Sequence, residues 1–179
     1  MSAYSERAQP YMDALAKAIF QDQSVRDWLI TGTAKGKAFR GARSLHKEQE
    51  NLRKPTKQPF YCNYWCGRDT RCTCRVEGAR GLETDMMVFL EAPDQRRLGI
   101  SIEMKAPGDQ LSPGQAECYP LRAACWCEGR TGYYAVIPHK VWMTVLLCPD
   151  ADLTAADVTH FDKAIGHSEA GQIILGWPA

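Results

Sequence analysis

Residues 98–105, LGISIEMK, alternate between two kinds of side chain. Successive side chains of a strand leave opposite faces. Leu98, Ile100, Ile102 and Met104 therefore share one face, and Gly99, Ser101, Glu103 and Lys105 the other. Ala106, Pro107 and Gly108 end the strand. Residues 82–90 (LETDMMVFL) read as a preceding strand, with Pro93 and Asp94 marking the turn between the two. A connection this short lets the strands pair side by side. Downstream, Ser112-Pro113-Gly114-Gln115 reads as a helix start, with Ser112 as N-cap, Pro113 at the first helical position and Gln115 at the third. Pro120 is expected to kink or restart that helix. Residues 132–137 (GYYAVI) read as the next strand. Strand, strand, helix, strand predicts an α/β fold with a mixed central β-sheet flanked by helices.

The flanks read more coarsely. Residues 4–20 form a helix on the spacing of Met12, Leu15, Ala16, Ile19 and Phe20, and residues 25–30 add a turn or two. A polar stretch, SLHKEQENLRK, reads as helical up to Pro55. Residues 139–148 are open between helix and strand, and 154–167 read as a helix with Thr154 as its cap. The 179 residues suit a single domain. Its parts are a helical basic portion (1–57), a Cys-rich insertion (58–81), the strand–helix core (82–137) and a C-terminal completion (138–179). The first twenty residues carry charges and no apolar h-region, and no run of about 18 apolar residues occurs, so an intracellular, cytoplasmic protein without a membrane span is expected.

Asp85, Glu103 and Lys105 carry the chemistry. Glu103 and Lys105 lie two apart on a strand and leave the same face, and the neighbouring strand brings Asp85 alongside. Two carboxylates on adjacent strands can hold a hard cation such as Mg²⁺. That ion lowers the pKa of a bound water, and a nearby lysine orients the water and offsets developing charge. The competing reading is a solvated E-x-K pair at a strand edge, worth little energy. Gln115 is open between capping the helix through Ser112 and serving the site. Tyr119 and Arg122 follow it at helical spacing and can present one face to phosphate, against ordinary packing for the tyrosine and solvent for the arginine.

The net charge is only +1, but residues 26–57 hold nine Lys or Arg against Asp27, Glu48 and Glu50. Lys35, Lys37, Arg40, Arg43 and Lys47 are the candidates there for gripping a phosphate backbone, against a plain solvated helix face. Eight cysteines without a secretory signal argue for thiols or metal ligands rather than a disulfide framework. Cys62, Cys66, Cys72 and Cys74 form C-x3-C-x5-C-x-C, which can make a tetrahedral structural Zn²⁺ site, against the reading of small buried residues. Cys118, Cys125, Cys127 and Cys148 read as core thiols, and the four histidines show no ligand spacing. Tyr61, Tyr64 and Trp65 can stack on unpaired bases, with core packing the competing role.

The pattern TD, 17 residues, EMK, then a capped helix carrying Gln and a further strand, resembles the core of the PD-(D/E)XK, restriction-endonuclease-like nuclease superfamily. Asp85 matches its first acidic position, Glu103 and Lys105 its E-x-K, and Gln115 with Tyr119 its Q-x-x-x-Y element. The stretch EMKAPGDQLSPGQAECY also resembles the VRR-type subgroup. The likeness spans about residues 82–137. It departs at Thr84, where the pattern names proline, at Pro120, and in the acid usually supplied by an early helix, for which Glu48 and Glu50 are candidates. The resemblance implies a restriction-endonuclease-like core and a nuclease using Mg²⁺ or Mn²⁺ on nucleic acid, DNA ahead of RNA. Asp85, Glu103 and the Met104 carbonyl would be the metal ligands, with Lys105 and Gln115 at the attacking water. A homodimer is left open. A non-catalytic nucleic-acid- or protein-binding module with the same fold is the alternative.

Overall fold

The computed structural model describes residues 3–53, 58–66, 72, 74–79, 83–130 and 135–178. In chain order the elements are α1 (Ala3–Gln21), α2 (Gln23–Ile30), α3 (Gly36–Phe39), β1 (Arg43–Ser44), α4 (His46–Leu52), β2 (Cys62–Trp65), β3 (Glu83–Glu91), β4 (Arg97–Met104), α5 (Gln115–Cys127) and β5 (Val141–Cys148). Two 3₁₀ turns (Asp150–Thr154 and Ala156–His160), β6 (Lys163–Gly166) and α6 (His167–Ile173) complete them. The result is the expected mixed sheet flanked by helices, with six strands among the described residues.

The sheet runs β1-β3-β4-β5-β6, with β2 also on β3. β1, β2 and β4 all pair antiparallel with β3, β1 at its C-terminal end (Arg43↔Glu91) and β2 at its N-terminal end (Trp65↔Glu83). β4, β5 and β6 run parallel. Both faces are covered, which is why β3 and β4 are buried along nearly their whole length. Leu98, Ile100, Ile102 and Met104 join Met86, Val88, Leu90, Met143, Val145 and Leu147 beneath α1 and α2. The opposite face lies under α5, where Met87 and Phe89 meet Cys125 and Trp126, and Leu146 meets Tyr119. Glu103 and Lys105 share this second face by strand alternation.

Several local expectations are corrected. The helix after β4 starts at Gln115 rather than Pro113, because Gly114 takes a left-handed turn (φ 71°) that closes the loop just before it. Pro120 does not restart it. The proline falls one turn in and removes a single intrahelical bond, the one its N–H would make to the Ala116 carbonyl, and α5 runs on to Cys127. Of the strand expected at 132–137, residues 132–134 lie outside the described residues, and 135–137 are not strand. The strand after α5 is β5, in the stretch that was open between helix and strand. Residues 154–167 are not one helix. The Asp162 carboxylate accepts the Thr144 N–H at 2.8 Å, which ties the chain beside β5. Lys163–Gly166 then extends the sheet in register with Val145–Cys148. Ladder bonds with β5 override the helical spacing of Val158, Phe161 and Ile165.

Among the described residues no helix is long and apolar enough to cross a membrane.

Gly99 has a packing reason. The ring of His139 lies on it, and a Cβ there would stand 2.6 Å from Nε2. The ring cannot easily yield, since Nδ1–H donates to the Ile137 carbonyl at 2.8 Å and the ring packs edge-on against Phe89. Gly99→Ala is expected to destabilise the fold by about 1–3 kcal/mol through overpacking. The urea midpoint should fall with the slope unchanged.

Candidate carboxylate–lysine centre and thiolate group

The pairing of β3 with β4 builds the first site. Met86 faces Ile102, and one further step in that register sets Asp85 opposite Glu103. The Asp85 carboxylate accepts the Met104 N–H at 2.9 Å. Glu103 has no exposure, and Asp85 and Lys105 have 7% and 4%. The Glu103 carboxylate is tightly held. Oε1 accepts from Lys105 Nζ at 2.6 Å and from Gln115 Nε2 at 2.7 Å, and Oε2 accepts the Tyr119 hydroxyl. Gln115 Oε1 in turn accepts from Lys105 Nζ at 3.2 Å and from the Ser112 N–H at 2.9 Å. The glutamine thus fills both roles that were open for it, closing the helix entry and joining the site. The Tyr119 oxygen also accepts the Asp85 N–H at 3.3 Å, so α5 is stitched to both strands.

The electrostatics follow from burial. Asp85's carboxyl is pushed well above the usual carboxylate range, first by desolvation and then by the Glu103 charge, with the Met104 N–H and Lys105 opposing. Glu83, two residues before Asp85 on β3, is raised to about 7 by burial and by Glu103, against the pull of Arg122. Tyr119's hydroxyl is raised by burial and by the Glu103 and Asp85 charges. Lys105 opposes the rise at Asp85, and Arg122 opposes it at Glu83. Lys105 also reaches the wall of a cavity of about 220 Å³, shared with Asp109, Leu111, Leu146, Cys148 and Asp152.

The expected early-helix acids stand elsewhere. Glu48 pairs with Arg43 at 2.6 Å, and Arg43 pairs with Glu91, at the far end of β3 from Asp85. Glu50 is exposed on α4. The other acid on this face is Glu83, two residues before Asp85 on β3. Its signal was the same two-residue alternation that joined Glu103 to Lys105.

The basic candidates divide. Lys35 bonds Asp162 at 2.7 Å and lies 4.9 Å from the Trp142 ring centroid, and Arg43 is engaged by Glu48 and Glu91. Lys37, Arg40 and Lys47 are exposed to solvent. Of the wider basic run, Arg53 is buried and bonds the Phe60 carbonyl at 2.6 Å, and Lys54 and Lys57 lie outside the described residues. Tyr119 and Arg122 do share a helix face, but it points inward. Both are fully buried, with the guanidinium 4.6 Å from the tyrosine ring centroid. Packing against the sheet, rather than an open surface, decides their environment. Tyr64 is likewise core, edge-on to Trp126.

The thiols form a second group with one change of membership. Cys66, Cys72, Cys74 and Cys125 bring their sulfurs within 4.8 Å of one another, a group that can hold a metal ion. Cys62 is not part of it. Asn63 takes a left-handed backbone (φ 57°), which breaks the strand alternation. Cys62 consequently turns toward α1, where Gln9 Nε2 contacts its sulfur at 3.7 Å, while Tyr64 turns toward α5. Cys125 comes from α5, far along the chain, and no local spacing marks it as a ligand. Hydrogen bonding from Cys66 is the main cause that brings the Cys74 thiol down to about 6, while Cys66 itself is raised.

Glu83 gives the site a pH signature. Its folded value, about 7, lies above its ordinary value of 4.5. Between those two the folded protein holds more proton at Glu83 than the unfolded chain does, so this contribution to stability is lost as pH rises through the window. Glu83→Gln should flatten the decline of the urea midpoint between acid and neutral pH, and an unchanged slope would contradict the assignment. Comparison with known protein families, curated proteins and solved structures finds no match, so the chemistry of these two groups rests on their own geometry.

Proposed function

We propose that the protein is a metal-dependent nuclease that hydrolyses phosphodiester bonds in DNA, of the restriction-endonuclease-like kind that its sequence resembles. The observation that carries the reading is the convergence of Asp85, Glu103 and Lys105 on one face of adjacent strands, with Gln115 bonded to both Glu103 and Lys105. The donor set fits a hard divalent ion: its donors are carboxylate oxygens, and the acids Glu83, Asp85 and Glu103 repel one another in a buried setting that a cation relieves. Asp85 and Glu103 would hold Mg²⁺ or Mn²⁺, with the Met104 carbonyl a further oxygen. Bound there, the ion supplies a water of lowered pKa and charge stabilisation at the phosphoryl oxygens.

The chain's own residues do the rest. Lys105 orients the attacking water and offsets the charge that develops on the phosphate. Gln115 fixes the ammonium against Glu103, and Tyr119 holds the other Glu103 oxygen, so both groups are held in place. Lys37, Arg40 and Lys47 offer solvent-facing cations to a DNA backbone. The thiolate group takes a structural Zn²⁺.

One observation favours a non-catalytic binding module with this fold. Glu103 is wholly enclosed, and both its oxygens already accept protein donors. Calorimetry with Mn²⁺ separates the two readings. An enzyme shows binding that weakens in Asp85→Asn and Glu103→Gln, and a binding module shows none that depends on these residues.

For the enzyme, Asp85→Asn and Lys105→Met should each lower Mn²⁺-dependent DNA cleavage by roughly 100-fold or more while the circular dichroism spectrum stays native. Cleavage at the unmodified rate by both variants would sink the reading.

A further inference from the structure

The geometry of the thiolate group narrows the kinds of ion it fits. Cys66 Sγ stands 3.3 Å from both Cys72 Sγ and Cys74 Sγ, Cys72 and Cys74 are 2.8 Å apart, and Cys125 Sγ lies 3.9 Å from Cys72. Four sulfurs at bonds of ~2.3 Å about one zinc stand roughly 3.8 Å from one another. Three of these separations lie inside that edge and the fourth at it, and all four sulfurs stand within 4.8 Å of one another, close enough to share one ion. In a polynuclear iron–sulfur centre the four cysteines do not all share one iron, so sulfurs on different irons stand further apart than the edge of one tetrahedron. Thiolates also discriminate against the magnesium and calcium class, which prefers oxygen. Four protein ligands fill a tetrahedral shell and leave no open position, the arrangement of a structural rather than a catalytic ion.

We infer that Cys66, Cys72, Cys74 and Cys125 bind a single thiophilic ion of the zinc class, and that this ion clamps α5 to the segment between β2 and β3. Cys66 follows β2 directly, and Cys72 and Cys74 lie before β3. Cys125 is on the last turns of α5. The ion therefore ties segments that, among the described residues, no strand ladder joins. The surroundings are those of a structural metal. Cys66, Cys74 and Cys125 are buried with Leu45, Tyr64, Met87, Phe89, Trp126 and Ile137, so three of the nine members of this small cluster are ligands. Such a cluster has little apolar area of its own, and metal binding free energy acts as folding free energy. Four thiolates about a divalent ion leave net negative charge, and the fully buried Arg122, one turn before Cys125, acts on Cys74 with the opposite sign.

The clamp reaches the carboxylate centre through the helix. Gln115 and Tyr119 lie ten and six residues before Cys125, about 15 Å and 9 Å along the axis. Both bond Glu103. Fixing the C-terminal end of α5 thus fixes the helix that positions the carboxylate. This last step rests on the nuclease reading for its functional meaning, whereas the metal site does not.

The test uses the full chain, without substrate. Elemental analysis of protein purified without chelator should give one zinc per chain and no iron or acid-labile sulfide. Exchange into Co²⁺ should give the visible bands and sulfur charge transfer of a tetrahedral tetrathiolate. Cys62→Ser should keep that spectrum, and Cys125→Ser should lose it. Because Cys125→Ser can also unfold the domain, hydrogen exchange on the wild-type chain provides the second measurement. Removing zinc with a chelator should speed exchange across residues 115–127 well beyond that in β4. Iron with sulfide, a native Cys72–Cys74 disulfide, full zinc in Cys125→Ser, or α5 exchange indifferent to zinc would each overturn the inference. A zinc-loaded protein that never cleaves DNA would count against the nuclease alone.

Discussion

A carboxylate with no exposure to water has to be matched by donors, and Glu103 sets that requirement for the whole α5 face of the sheet. An uncompensated buried charge costs several kcal/mol, more than most single packing contacts contribute. Lys105, Gln115 and Tyr119 meet the requirement together. Two of the three are carried by α5, so the helix can dock in one axial position only, with its first two turns over the ends of β3 and β4. A shift of one residue would rotate Gln115 and Tyr119 away by about 100° and leave the carboxylate stranded. Polar chemistry, rather than apolar area, therefore specifies the register of helix on sheet.

The two faces of the sheet are held by different means. Beneath α1 and α2 a broad aliphatic layer is formed from alternate residues of β3, β4 and β5. Nearly every member is apolar, and burial at ~1.5–3 kcal/mol for a large side chain accounts for its cohesion. The opposite face is broken into two smaller clusters on either side of the carboxylate centre, one of them containing the thiolates. The buried carboxylates and the thiols both lie on this less hydrophobic face.

The centre and the thiolate group share one helix and one buried arginine. Arg122 packs on the Tyr119 ring and acts electrostatically on both Glu83 and Cys74. Its burial puts a positive charge within electrostatic reach of both the carboxylate and the thiol groups. Read from spacing alone, the same residue looked like a surface cation available to phosphate. The difference arises because a helical repeat shows which residues share a face, but not whether that face turns to solvent or to a sheet.

What the sequence alone determined is the part governed by neighbours along the chain. Alternation in residues 98–105 placed Glu103 and Lys105 on one face, the short turn made β3 the partner of β4, and together these brought Asp85 beside them. The same rule, applied two residues back from Asp85, also marks Glu83. Tertiary structure alone decided the rest. Lys163–Gly166 became a strand because β5 offered it ladder bonds, Cys62 left the thiolate group because one left-handed residue reversed its direction, and Cys125 joined it from a distant helix. Backbone periodicity is local and can be read from a window of residues, whereas a partner brought in by folding leaves no mark in the spacing of either segment.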